Sequence, residues 1–151
     1  MAQNQPILVV EDSPEDWLIM QRAFSKGNMN NTLIRVENGD DALDYLYHRG
    51  KYTDHARAPR PGIILLDLNL PGTDGREVLA EVKSDPNLRS IPVVVLTTSK
   101  DERDIEACYS QGASSYIPKP VDMKGFLTAI TKLEDYWFEI AVLPRGAKID
   151  G

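Results

Sequence analysis

The sequence is short of sulfur and imidazole: its 151 residues hold one cysteine, Cys108, and two histidines, His48 and His55. A single thiol excludes an internal disulfide and fits a reducing cytoplasm. So few imidazole and thiolate groups also argue against a zinc site built from them. Long apolar runs are missing as well, since none nears the roughly 20 residues that a bilayer-spanning helix requires. The opening "MAQNQP" has neither the basic nor the apolar stretch of a secretory signal. Positive charge is in deficit, with 17 Lys and Arg against 23 Asp and Glu and a formal net charge of −6. That balance disfavours direct contact with nucleic acid. What remains, 42% hydrophobic and 26% charged, describes one globular domain with a full core, too short for two ordinary ones. Its expected partners are proteins or small molecules.

Short apolar runs alternate with amphipathic segments. The runs are "PILVVED" (Pro6–Asp12), "TLIRV" (Thr32–Val36), "GIILLD" (Gly62–Asp67), "PVVVLT" (Pro92–Thr97) and the weaker "SSYIPK" (Ser114–Lys119). Three are nearly continuous in Val, Ile and Leu, as strands buried on both faces of a parallel sheet should be. Helix punctuation lies between them. Ser13 is an N-cap, Pro14 suits the first helical position, and Glu15 and Asp16 favour the positive end of the dipole, in a helix running to about Lys26 and stopped by Gly27. Further helices are expected from Gly39 to about Tyr47, Asp74 to about Ser84, Asp101 to Gln111, and Met123 to about Ile140. The predicted fold is α/β: a doubly wound (βα)5 arrangement on a five-stranded parallel sheet, in one domain over residues 6–140. A basic, proline-rich insertion over 48–62 precedes the third strand, and a C-terminal extension covers 141–151.

The polar residues fall at one edge of this sheet. Glu11 and Asp12 end the first strand, Asp67 the third, Thr97 and Thr98 the fourth, and Lys119 the fifth. Open α/β sheets bind ligands outside the carboxyl ends of their strands, at the switch in strand order. Crowded carboxylates repel unless a cation joins them. An all-oxygen set with a free edge suits Mg²⁺, and Asn69 can add its backbone carbonyl. Lys119 and the Thr97 hydroxyl can hold phosphoryl oxygens. Asp67 is then a nucleophile that accepts a phosphoryl group.

"VVEDSPED", "LLDLNLPGTDG", "VVVLTTS" and "YIPKP", in this order and spacing, resemble the response-regulator receiver domains of two-component signalling, whose topology is flavodoxin-like. The resemblance covers roughly Pro6 to Leu133. It implies Asp67 as the phosphoacceptor, Glu11, Asp12 and the Asn69 carbonyl as Mg²⁺ ligands, and Thr97 and Lys119 as the phosphoryl-holding pair. Tyr116 is implied as the aromatic that changes rotamer on activation, and the Lys119–Pro120 bond as cis. Thr98 departs from the Ala or Gly common at its position, and its bulk narrows access to the phosphoryl group. "YLYHRGKYTDHARAPRPGIILLDLNLPGTDGREVL" and the extended end "YWFEIAVLP" resemble the regulators paired with cyanobacterial phytochromes. The implied partner is therefore a sensor histidine kinase, and a bacterial phytochrome among these.

Each residue also has a plainer reading. Asp67 could simply begin a turn, Glu11 and Asp12 could cap a helix, and Tyr116 could be an ordinary half-buried strand aromatic. The coincidence of Glu11, Asp12, Asp67, Thr97 and Lys119 at matching strand ends favours the site. Cys108 reads as a small core residue, and His48 and His55 as solvated. In the fifth helix Met123, Leu127, Ile130, Leu133, Trp137 and Ile140 form the sheet-facing stripe, while Tyr136, Phe138, Val142 and Leu143 add apolar surface outside it. Those residues, with Trp137, are candidates for a homodimer contact. No output domain is expected after about Leu143, so the output is an unidentified protein, a change in dimerisation or onward relay of phosphate. The expected role is a signalling switch rather than a turnover enzyme.

Three rivals share the architecture. An FMN protein would need a hydroxyl- and Gly-rich phosphate loop where "EDSPED" stands. A phosphohydrolase would need an acid where Asn69 stands. The remaining alternative is an unphosphorylated, dimeric adaptor that uses the receiver fold for binding alone.

Overall fold

In a computed structural model of the chain, described over residues 5–27, 31–119 and 122–136, strands and helices alternate as the sequence predicts. The strands are β1 (Ile7–Val10), β2 (Leu33–Val36), β3 (Ile63–Asp67), β4 (Val93–Thr97) and β5 (Ser115–Pro118). The helices are α1 (Pro14–Lys26), α2 (Gly39–Tyr47), α3 (Gly75–Ser84), α4 (Glu102–Ser110) and α5 (Met123–Tyr136). The sheet is entirely parallel in the order β2-β1-β3-β4-β5. Strand order reverses between β1 and β3, so a crevice opens outside their carboxyl ends.

Side chains alternate across the sheet and divide the core in two. Leu8, Val10, Ile64, Leu66, Val93 and Val95 pack against Leu43, Tyr45 and Leu46 of α2, Val78, Leu79 and Val82 of α3, and Cys108 of α4. Ile7, Val9, Ile63, Leu65, Val94 and Leu96 pack against Met20, Ala23 and Phe24 of α1 and Phe126 of α5. Phe24 and Phe126 meet at 5.9 Å between ring centroids. Burial on both faces explains why the central strands read as unbroken aliphatic runs. Cys108 is a buried core residue, as expected.

Local chemistry sets the helix ends. The Ser13 hydroxyl accepts the Asp16 N–H, and Pro14 opens α1. Asn38 caps α2, and Asp74 with Glu77 completes a reciprocal capping box on α3. Ordered pairing is shorter than the apolar runs: β1 ends at Val10, so Glu11 and Asp12 lie just past it, although the Glu11 N–H still reaches the Val36 carbonyl at 3.0 Å.

The insertion is folded, which corrects the expectation that His48 is solvated. After α2, His48 takes a left-handed conformation at φ 56°. His48 Nε2 lies 2.7 Å from the Ala58 carbonyl, and its ring stacks on His55 at 3.7 Å. His48 is therefore half-buried, whereas His55 is exposed as expected. A short 3-10 turn covers Gly50–Tyr52, Ala58 is wholly buried, and Arg60 donates to the Asn87 carbonyl and the Ser90 hydroxyl. The buried Tyr45 hydroxyl donates to the Pro59 carbonyl at 2.7 Å, and burial pushes this phenol up to about 12. Tyr45→Phe removes that bond and leaves a carbonyl unsatisfied, at an expected cost of about 1 kcal/mol. An unchanged denaturant midpoint would show that the bond does not hold the insertion in place.

Pro120, Trp137, Phe138, Val142 and Leu143 lie outside the described residues, as does the side chain of Tyr136. The expected cis bond and the dimer candidates belong to that part of the chain. No described helix is long and apolar enough to cross a membrane.

Candidate functional site

The crevice between β1 and β3 collects the expected acids. Oxygen atoms of Glu11, Asp12 and Asp67 lie within 4.8 Å of one another. Glu11 is fully buried and Asp67 is 2% exposed, while Asp12 faces solvent. Asp67 shares the sheet face of Ile63 and Leu65, which turns it toward α1 and α5. Its Oδ1 accepts the Asn69 N–H at 2.9 Å, which closes the first turn of the loop leaving β3. Leu68 still donates to the Leu96 carbonyl at 2.9 Å, so Asp67 stands on a strand end that is paired with β4.

Burial of this much negative charge requires a counter-charge. Lys119, just past β5, supplies it, with Nζ 3.0 Å from Glu11 Oε2, 2.9 Å from Asp67 Oδ2 and 2.9 Å from Asp16 Oδ2. Burial alone would depress this ammonium, but bonds to Asp16, Asp67 and Glu11 outweigh it and raise the group above its ordinary value. The Glu11 carboxyl is raised too, chiefly by burial; the Lys119 hydrogen bond opposes the rise and the charge on Asp67 adds to it. A single lysine thus leaves the cluster with surplus negative charge.

The donor set fits a hard divalent cation. Its atoms are carboxylate oxygens only, and buried Glu11 Oε1 has no hydrogen-bond partner among the described residues. An ion held by Glu11, Asp12 and Asp67 would satisfy that oxygen and relieve the repulsion.

Thr97 is wholly buried at the end of β4, one strand from Asp67. Its Oγ1 accepts the Ser99 N–H at 3.0 Å, which shapes the loop before α4. Tyr116 on β5 donates its hydroxyl to the Ser99 carbonyl at 2.6 Å, so its ring is turned in against that loop. The Ser99 hydroxyl in turn donates to Asp104 at 2.8 Å, and Asp104 pairs with Arg76 of α3 at 3.1 Å. Thr98 is exposed, and its hydroxyl receives the Asn69 side-chain amide at 3.3 Å, a bridge between the loops that follow β3 and β4.

The structure therefore brings Glu11, Asp12, Asp67 and Lys119 together, with Thr97 and Tyr116 in the adjoining loop system. Asp16 is the residue that sequence reading missed as part of the site. Its available signal was the Ser13-x-x-Asp16 spacing, which ordinarily denotes helix capping.

Comparison with known proteins agrees with this fold. The chain is 42% identical over 138 residues to the response regulator Rcp1 of Synechocystis sp., covering 91% of this chain and 92% of that protein. The crystal structure of the Mn²⁺-bound form of Rcp1 superposes with a TM-score of 0.77 at 41% identity, over 90% of this chain and 96% of that one. The phosphorylated cyanobacterial phytochrome response regulator RcpA gives a TM-score of 0.77 at 41% identity, over 90% of this chain and 95% of that one. Residues 7–131 match the response regulator receiver domain, and the chain belongs to that family.

Proposed function

We propose that the chain is a phosphorylation switch in which Asp67 accepts a phosphoryl group from a sensor histidine kinase, and that this kinase is a bacterial phytochrome. The observation that carries the reading is a carboxylate 2% exposed at the switch point, 2.9 Å from a lysine ammonium and within a trio of acids. Similarity to the Mn²⁺-bound form of response regulator Rcp1 and to the phosphorylated cyanobacterial phytochrome response regulator RcpA supports it.

Asp67 Oδ attacks phosphorus as the P–N bond of a phosphohistidine breaks. The bonding pair stays on the imidazole nitrogen, which takes up a proton, and the product is an aspartyl phosphate. Glu11, Asp12, Asp67 and the Asn69 carbonyl would hold Mg²⁺. The ion, when bound, supplies positive charge against the phosphoryl oxygens. Lys119 donates to a phosphoryl oxygen as its bond to Asp67 is released, and the Thr97 hydroxyl turns to another. Drawing Thr97 inward releases Ser99, and with it the Tyr116 hydroxyl, so a charge at Asp67 is read at the α4 and β5 surface. The output is a protein contact, and Tyr136, Trp137, Phe138, Val142 and Leu143 are the candidates for a homodimer contact. The receiver unit covers 6–140, the tail covers 141–151, and the protein works in the cytoplasm.

Intact mass after incubation with acetyl phosphate and Mg²⁺ tests the reading. One phosphoryl adduct is expected, and EDTA should suppress it at least about tenfold, because uncompensated phosphoryl charge faces buried carboxylates. Absence of an adduct, under conditions that label another receiver, would favour the unphosphorylated adaptor instead.

A further inference from the structure

We infer that Asp16 is a positioning residue for Lys119, anchoring its ammonium from the α1 side while the metal-binding acids stay free for the cation. This rests on the reading of Asp67 as phosphoryl acceptor.

An ammonium has three donors, and Lys119 meets three carboxylate oxygens, from Glu11, Asp67 and Asp16, at 3.0, 2.9 and 2.9 Å. Glu11 and Asp67 belong to the cluster that can hold a cation, and Asp16 does not. Once those two turn to an ion or a phosphoryl group, Asp16 is the remaining one of the three to fix the ammonium. Its side chain is 17% exposed beside a lysine that is 9% exposed, so the pair is shielded enough to matter.

The local structure of α1 points the same way. In a Ser-x-x-Asp helix start, the acid at the third helical position reaches back to the N–H of the cap. In α3 that bond forms, from the Asp74 N–H to Glu77 at 3.0 Å. In α1 the Ser13 hydroxyl takes the Asp16 N–H at 3.2 Å, but the Ser13 N–H goes to Glu11 Oε2 at 3.1 Å. Asp16 is left to reach Lys119. A helix that forgoes its own capping bond for a distant ammonium breaks a local rule at a functional site. Without Asp16, Lys119 leans on Glu11 and Asp67 alone, where it competes with the cation and loses its aim at the incoming phosphoryl group.

The test uses the full chain as wild type, Asp16→Asn, Glu15→Gln, Lys119→Ala and the Asp16→Asn/Lys119→Ala double variant. Glu15 shares the first turn of α1, and its Oε1 accepts the Ser13 hydroxyl, so Glu15→Gln controls for helix charge. First, the lysine ammonium region of a ¹H–¹⁵N spectrum is recorded without phosphodonor. A Lys119 signal, identified by its loss in Lys119→Ala, is expected in wild type and Glu15→Gln and absent in Asp16→Asn. Second, phosphoryl uptake from acetyl phosphate at saturating Mg²⁺ is expected to fall about tenfold in Asp16→Asn, as misplacement of a charge-stabilising group should cause. Asp16→Asn should add nothing further in the Lys119→Ala background.

A Lys119 signal that survives in Asp16→Asn, or an equal loss of uptake in the Lys119→Ala background, overturns the inference. If Asp16→Asn folds poorly, Asp16→Ser must reproduce the spectral loss. If wild type takes up no phosphoryl group, the acceptor reading fails while the ammonium spectrum still decides the role of Asp16.

Discussion

Asp67→Asn is expected to form no phosphoryl adduct and yet to be more heat-stable than the wild type in the absence of Mg²⁺. The first effect is chemical, because the amide lacks the anionic oxygen that attacks phosphorus. The second is electrostatic. Glu11, Asp12 and Asp67 crowd within 4.8 Å, Asp16 stands beside them on Lys119, and that lysine is the ammonium they share. Removing one negative charge lowers the repulsion more than it weakens the lysine, which keeps Glu11 and Asp16. A gain of about 1 kcal/mol is expected. With the amide oxygen at the Oδ1 position the Asn69 N–H keeps its acceptor and the loop should hold its shape, while the amide nitrogen, a donor at the Oδ2 position, turns Lys119 away toward Glu11 and Asp16. Stability gained on adding Mg²⁺ should shrink at the same time, because the variant offers one carboxylate fewer. Intact mass and paired thermal melts with and without Mg²⁺ check all three points. An adduct that persists in Asp67→Asn would move the acceptor to another residue, and an unaltered Mg²⁺ response would remove Asp67 from the cation site.

The strands and most helix boundaries were legible because local chemistry specifies them. Buried strands need aliphatic runs, and α1 carries its own punctuation in Ser13, Pro14 and Gly27. The site was legible for a different reason: a parallel sheet aligns every strand end, so polar residues closing apolar runs must gather at one edge. Asp16 escaped because its nearest local explanation, favouring the helix dipole, was sufficient. Its pairing with Lys119 depends on that side chain reaching from the end of β5 to the first turn of α1, which no spacing along the chain reveals. The insertion escaped for a related reason. It read only as a basic, proline-rich connection, yet Ala58 is buried, and Tyr45 and Arg60 bond to backbone carbonyls of Pro59 and Asn87. Such bonds use groups that every residue carries, so side-chain identity gives little warning of them. The close approach of glycine backbones was equally hidden. Gly39 and Gly75 read only as residues at the starts of helices, yet an added Cβ would lie 2.1 Å from the Thr73 carbonyl oxygen and 2.3 Å from that of Asp67 respectively, although each has an ordinary φ.

Gly75 makes that last contact consequential for function. It opens α3, and its N–H returns to the Leu68 carbonyl at 3.2 Å, so the loop from Leu68 to Gly75 closes directly on the end of β3 that carries Asp67. A Cβ there meets Asp67 O at 2.3 Å, Leu68 Cα at 2.6 Å and Asp67 C at 3.0 Å, all of them backbone or strand-end atoms. None is the tip of a flexible side chain. Asp67 and Leu68 are in turn pinned by pairing with β4, through the Asp67–Leu96 register and the Leu68 N–H to Leu96 O bond at 2.9 Å. Strain from Gly75→Ala must therefore push α3 outward or tilt the peptide that carries the acceptor, and either costs about 3 kcal/mol. Because Asp67 is aimed by this peptide, a shift of a few tenths of an ångström also spoils its line of attack, and phosphoryl uptake is expected to drop about tenfold. Backbone freedom is not the cause, so the penalty should follow side-chain volume: Gly75→Ser should be at least as damaging as Gly75→Ala. Denaturant unfolding gives the stability loss, and a timed mass measurement gives the uptake. Wild-type stability in Gly75→Ala would mean that α3 can back away from the strand at no cost. Lost stability with wild-type uptake would mean that α3 yields while the acceptor peptide stays fixed, and that β4 pairing alone aims Asp67.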